Sequence, residues 1–258
     1  MKKRKEYYDL LDKAHQAKIR DFLTNHKIKK DPNYTKEFIS TTLKHSVVFT
    51  PKNEYRKLTS HTKENEHVEI RKALHQTKAT QTLEVGFAFG TSALVFAEHH
   101  QRMKSKGISH TIIDPNQYGT GQGSWEGIGA ENLKRVGFSK NRDWRLLESS
   151  SIEALPALHK RFGSGWLDVA LIDGWHLFDY TLLDIFYCLH MLRVGGILIV
   201  DDKNMKAISA VGKYVNRAYS HVVDICPQCQ TMLIIRKKSE DMRDWNTDER
   251  VNFNLFSP

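Results

Sequence analysis

Two apolar runs of this sequence end in residues that can do chemistry. LDVALIDGWH, residues 167–176, closes on Asp173, Gly174 and His176, and GGILIVDDK, residues 195–203, closes on Asp201, Asp202 and Lys203. Carboxylates gathered in one place repel one another and raise their own pKa values unless a cation offsets them. An all-oxygen set such as Asp173, Asp201 and Asp202 suits a hard divalent ion, Mg²⁺ or else Mn²⁺ or Ca²⁺. Such an ion holds a hydroxyl oxygen and helps it lose its proton. A neutral imidazole accepts a proton near neutral pH, which makes His176 the candidate general base. Lys203 is the alternative, provided desolvation keeps it neutral. The plain reading of the same residues is that DG and DD are ordinary turns after strands.

A third pattern lies upstream. EVGFAFGTS, residues 84–92, closes an apolar run and opens a helical one, with Gly86 and Gly90 allowing a tight turn and a close ligand approach. The spacing is GxxxG, not the GxGxxG that seats a dinucleotide pyrophosphate, and no Lys-Ser/Thr pair of a phosphate loop follows. Asp114 ends the next apolar run in TIIDPNQ, where a doubly wound fold places the acid that bonds a ribose hydroxyl. These features describe a nucleoside-bearing cofactor without a pyrophosphate. The alternative for Asp114 is an acid before proline that starts a turn.

These residues need elements to hold them. From residue 80 on, short apolar runs alternate with helical segments: TLEVGF, HTIIDP, WRLLES, LDVALID, GGILIVDD, HVVDIC and TMLIIRK, with amphipathic stretches between the first six. That alternation predicts a doubly wound, mostly parallel seven-stranded sheet covered on both faces. Only the short CPQCQ separates the last two strands, which predicts an antiparallel pair at one edge. Ligands of such sheets bind at the carboxyl ends of the strands. Residues 1–79 read instead as a helical extension, with helices over EYYDLLDKAHQAKIRDFL, DPNYTKEFISTTLKH and TKENEHVEIRKALHQT.

EVGFAFGTSA, IIDPNQ with WEGIGAENLKRVGF, LIDGWHLFDYTLLD and LRVGGILIVDD together resemble the class I S-adenosylmethionine-dependent methyltransferases. The pairing of DGxH with a later GGxxxxDD resembles, more narrowly, the small-molecule O-methyltransferase branch that includes catechol-type and macrolide-sugar enzymes. The likeness covers residues 80 to 238 and implies a methyltransferase domain over residues 80–258. It implies that Glu84 and Gly86 line the methionine part of S-adenosylmethionine, with Phe87, Gly90 and Thr91 in the same loop, and that Asp114 holds the ribose. Glu148, Ser149 and Ser150 fall where the family contacts adenine, and Trp125 is either a cover for the cofactor or a core residue. Asp173 serves as a metal ligand or as a contact for the cofactor's amino group. Catechol-type members carry Asp then Asn where this chain has Asp201-Asp202, which favours the sugar-modifying pattern. The implied reaction is methyl transfer to a hydroxyl of a small molecule, assisted by Mg²⁺ or another hard cation. The extension becomes a lid or an oligomer contact.

Bulk properties set limits. The chain has 258 residues, 40% hydrophobic and 27% charged, the balance of an ordinary globular protein. No apolar run is long enough to span a membrane and the N-terminus lacks a signal-peptide core, so the cytoplasm is the expected address. Three cysteines are too few for a disulfide framework, and Cys226-Pro-Gln-Cys229 reads as a turn between late strands. The net charge of +9, concentrated early in KKRK, KIKK and RKALHQTK, permits an acidic partner. An RNA methyltransferase is therefore one rival reading, disfavoured because no RNA-binding module is recognisable. A non-catalytic binding protein of the same fold is the other.

Overall fold

The computed structural model describes residues 7–27, 29–119 and 123–243. The basic run KKRK and part of the glycine-rich loop before Trp125 lie outside them.

Among the described residues, nine strands and eight α-helices follow in chain order. They begin with α1 (Lys13–Thr24), α2 (Pro32–His45), β1 (Val47–Phe49), β2 (Tyr55–Lys57), α3 (Glu64–Thr77), β3 (Thr82–Val85) and α4 (Thr91–Met103). Then come β4 (His110–Ile113), α5 (Ile128–Arg135), β5 (Trp144–Leu147), α6 (Ser151–Phe162), β6 (Leu167–Ile172) and α7 (Phe178–Met191). The chain closes with β7 (Leu192–Val200), α8 (Lys206–Ala218), β8 (Val223–Cys226) and β9 (Leu233–Lys237). Seven strands form one sheet in the order β5-β4-β3-β6-β7-β9-β8. β3, β6 and β7 run parallel, as do β4 and β5, while β9 is antiparallel to both β7 and β8. The expected doubly wound mixed sheet is present, but its antiparallel strand is β9, lying between β7 and the edge strand β8, which points the same way as β7. Strand order reverses between β3 and β6, the switch point at which such sheets bind ligands.

Contacts group the chain into two compact units. The first joins the residues up to His75 with Gly86–Ser150. Its centre is α4, whose residues Thr91–Glu98 are all buried. A helix apolar all round needs cover on every side. α2 packs along it, and Thr35 Oγ1 donates to Gln101 Oε1 at 2.6 Å. A hairpin of β1 and β2, antiparallel from Val47↔Lys57 to Phe49↔Tyr55, follows α2 and went unread in the sequence. Val47, Val48 and Phe49 are buried, each contributing about 1.5–3 kcal/mol by leaving water. The buried Arg135 of α5 locks the hairpin in place by donating to the carbonyls of Phe49 and Thr50 at 2.8 Å and to Asn53 Oδ1 at 2.9 Å.

The first helix is shorter than its periodicity predicts. Tyr8–Leu10 makes a single 3₁₀ turn, Leu11 is extended, and α1 begins only after Asp12, whose side chain accepts from His15 N. The capping acid wins over the hydrophobic pattern because it satisfies an amide that the helix leaves unpaired.

The second unit joins Gln76–Val85 with the chain from Ser151 onward. β3 and β6 are buried along their whole lengths, as strands covered on both faces must be. Asp168 ties the start of β6 to neighbouring backbone, accepting from Thr80 N and Gln81 N, while Arg193 bridges its other oxygen and the carbonyl of Thr77. Cys226 ends β8 and Cys229 sits in the connection to β9; both thiols are free, as is that of Cys188. No helix among the described residues is long and apolar enough to cross a membrane.

Candidate functional site

The first unit carries the glycine turn. Gly86, Ala88 and Gly90 all have positive φ, at 91°, 46° and 78°. A Cβ on Gly90 would stand 3.0 Å from both Gly129 Cα and a ring carbon of Phe87, so a glycine is required there twice over. Gly90 caps α4 without a side-chain hydrogen bond. Asp114 is buried and holds the turn in shape: Oδ2 accepts from Phe87 N at 2.9 Å and Ala88 N at 3.1 Å, and Oδ1 accepts from Asn116 N at 2.7 Å. The acid read as a ribose ligand is thus also the brace that keeps Ala88 in its left-handed conformation.

Other residues of this group divide between core and surface. The Phe87 side chain is buried edge-on against Trp144, while its amide donates to Asp114 and its carbonyl accepts from Gly90 N at 2.7 Å. Thr91 Oγ1 lies 3.3 Å from Thr62 Oγ1, which in turn meets His67 Nε2 at 2.7 Å. Burial holds the His67 imidazole neutral, its pKa pushed down to about 3. Trp125 packs edge-on against Phe89, with Val48, Leu58 and Ile128, so the core alternative describes it. Glu148, Ser149 and Ser150 follow the end of β5, with Glu148 paired to Lys140 at the surface.

The second unit carries the acidic strand ends. Glu84 is fully buried in β3, in register with Leu171. Asp173 N donates to Val85 O at 2.8 Å and Asp201 N to Ile172 O at 2.9 Å, so the two acids terminate adjacent parallel strands. Gly174 then turns so closely over β3 that a Cβ would meet Val85 Cγ1 at 3.2 Å. The turn brings His176 back: its Nε2 lies 3.2 Å from Asp173 Oδ1 and 3.0 Å from Asp202 Oδ2. Among the described residues, Asp173, His176 and Asp202 form the one group of acids, histidines or cysteines able to hold a metal, each offering a ligand atom within 4.8 Å of the others.

His176 and Asp202 both have left-handed backbones, φ 53° and 54°. Those conformations are costly for residues other than glycine and persist where surrounding structure enforces them. The hydrogen bond to Asp173 raises the pKa of His176, the charges of Asp173, Asp202 and Asp201 adding to it against the effect of burial. Asp201 is mostly buried and stands outside the metal-capable group; its Oδ1 accepts from Asp202 N at 2.7 Å. Lys203 directs its ammonium away, donating to the carbonyl of Cys229 at 2.7 Å.

One acid of this region escaped the sequence reading. Asp184 is buried on α7 beneath the turn, its Oδ2 3.9 Å from where a Cβ on Gly174 would lie. Burial pushes its pKa up to about 6, against a hydrogen bond with Ser151. The signal was present: Asp184 interrupts the buried stripe of Thr181, Ile185, Cys188 and Leu189.

Fold and strand ends are those of a doubly wound seven-stranded sheet, which binds ligands at its switch point. Residues 83–203 match the family described as methyltransferase domain. Solved structures share the fold, two of them methyltransferases with a bound product. A methyltransferase of Podospora anserina, bound to S-adenosylhomocysteine, is 15% identical with a TM-score of 0.56 over 89% of this chain and 97% of that one. An O-methyltransferase of Bacillus cereus in complex with S-adenosylhomocysteine is 14% identical with a TM-score of 0.55 over 88% and 97%. No curated protein matches the sequence. Over residues 83–203 the chain is thus similar to the methyltransferase domain family, and its fold is shared with solved methyltransferases.

Proposed function

We propose that the protein transfers the methyl group of S-adenosylmethionine to a hydroxyl of a small molecule, with help from a divalent cation. The observation that carries this reading is the meeting of Asp173, His176 and Asp202 at the ends of two neighbouring strands. The O-methyltransferase among the solved structures of like fold supports the choice of oxygen as acceptor.

The residues present fit both groups. For the cofactor, the uncapped start of α4 suits a carboxylate, since a helix N-terminus favours negative charge. Glu84, Gly86, Phe87, Gly90 and Thr91 would hold the methionine part, Asp114 the ribose, and Ser149 and Ser150 the adenine. For the metal, two carboxylates and an imidazole already converge. The sulfonium supplies an activated methyl donor, and a bound cation supplies acidity to the acceptor oxygen. The chain's own task is to orient that oxygen behind the methyl carbon and to exclude competing water. As the bond from oxygen to methyl forms, the bond from methyl to sulfur breaks and the hydroxyl proton leaves.

Thermal stabilisation tests the reading. S-adenosylmethionine and Mg²⁺ or Mn²⁺, each alone and then together, should raise the melting temperature, and a panel of small hydroxyl compounds should yield a methyl ether with one acceptor. Stabilisation by neither cofactor nor metal overturns the proposal.

A further inference from the structure

We infer that His176 is a ligand of the metal rather than the general base, and that the site therefore selects a first-row transition ion over Mg²⁺. This rests on the metal-assisted reading above.

Three geometric observations lead here. First, the nitrogen nearest the carboxylates is Nε2, and it stands 3.2 Å from Asp173 Oδ1 and 3.0 Å from Asp202 Oδ2. Two ligand atoms at right angles around one ion, each about 2.1 Å from it, lie about 3.0 Å apart. The imidazole thus occupies the position of a neighbouring ligand. A base needs its nitrogen turned toward the acceptor, whereas this nitrogen is turned toward the same two carboxylates that would bind the ion.

Second, Asp201, the acid that an all-oxygen site would require, is turned into the chain. Its Oδ1 accepts from the amide of Asp202 and it is mostly buried, while His176 and Asp202 are partly open. The donor set is therefore two carboxylate oxygens and one nitrogen. Third, His176 and Asp202 are both held in left-handed backbones on the turns that end β6 and β7. Two such turns facing one another set the side chains of different strands on a common point, as a ligand pair requires.

The chemistry of that donor set decides the ion. Mg²⁺ and Ca²⁺ prefer oxygen throughout, and Mg²⁺ gives up its waters reluctantly. Imidazole suits Fe²⁺, Co²⁺, Ni²⁺ and Zn²⁺, and affinity rises along the first-row series from Mn²⁺. With Nε2 on the metal, the proton of a cation-bound hydroxyl passes to solvent, since coordination already makes that hydroxyl acidic.

Two measurements on the full chain test this. In pulsed electron paramagnetic resonance of the Mn²⁺-loaded protein, directly bound imidazole should give a nitrogen-14 coupling that disappears in His176→Asn. Asparagine tolerates a positive φ, so this variant keeps the turn. By calorimetric titration, Co²⁺ should bind wild type at least about 100-fold more tightly than Mg²⁺, and His176→Asn should lower Co²⁺ affinity at least tenfold with Mg²⁺ affinity changed less than about threefold. Mn²⁺ binding without nitrogen coupling, or equal losses for Co²⁺ and Mg²⁺ in the variant, overturns the ligand assignment and leaves the metal-assisted reading intact. Failure of Mn²⁺, Co²⁺ and Mg²⁺ alike to bind wild type overturns both.

Discussion

The imidazole of His176 reaches the carboxylate of Asp202 at 3.0 Å across the ends of the parallel strands β6 and β7. Neither residue belongs to its strand. Each sits on a left-handed turn just beyond it, so two local backbone choices create one contact between distant parts of the chain.

Asp202→Asn removes the charge of one proposed metal ligand and leaves the residues proposed to hold the nucleoside in place. Methyl transfer should fall at least about 100-fold, the scale of losing a metal ligand or its support. Affinity for S-adenosylmethionine should change less than about threefold. Isotope-labelled methyl transfer and calorimetry measure the two quantities separately. An equal loss of both would show that Asp202 supports the cofactor rather than the cation.

Asp114→Ala withdraws the acceptor of two backbone amides of the glycine turn and of the Asn116 amide beside it. A buried amide left without its partner costs about 1–3 kcal/mol. The variant should melt several degrees lower and bind S-adenosylmethionine at least tenfold more weakly. Asp114→Asn, which keeps one acceptor oxygen, should recover part of the stability. If Asp114→Ala weakens the cofactor but melts like wild type, the acid touches ribose without bracing the turn.

Gly90→Ala forces a side chain into a backbone with φ 78° and into contacts of 3.0 Å with Gly129 and Phe87. Strain of this kind costs about 1–3 kcal/mol. Chemical denaturation should report that loss, together with weakened cofactor binding. Gly163→Ala also places alanine at a positive φ, 73°, but meets nothing within 4 Å. It should lose less stability and leave cofactor affinity unchanged.

Asp184 gives a pH signature. Its folded pKa, about 6, lies above the ordinary carboxylate value of 3.8. Folding therefore favours the protonated form, and stability is lost as pH rises from about 4 through 6. The shift corresponds to about 2–3 kcal/mol. Asp184→Asn removes the titration, so its melting temperature should exceed that of wild type at pH 8 and approach it near pH 4. Parallel melting curves for the two proteins across that range would contradict the assignment.

The sheet was legible because its strands are short and apolar and its helices amphipathic, and both periodicities are local. The ends of the strands were legible for the same reason: Asp173, Asp201, Asp202 and the glycines around Phe87 each follow an apolar run. The hairpin of β1 and β2 was not, since three-residue strands carry little pattern of their own. It is held by Arg135, far along the chain, whose guanidinium meets the carbonyls of Phe49 and Thr50.

By itself the sequence determined the alternation of strand and helix, and with it which acids stand at strand ends, because burial on both faces of a parallel sheet demands continuous apolar runs. Only the tertiary structure decided how those acids divide. Asp202 turns outward to meet His176 while its neighbour Asp201 turns onto the backbone. Asp114 braces the glycine turn as well as facing it. Such choices depend on backbone torsions and on partners distant in the chain, and composition and spacing carry neither.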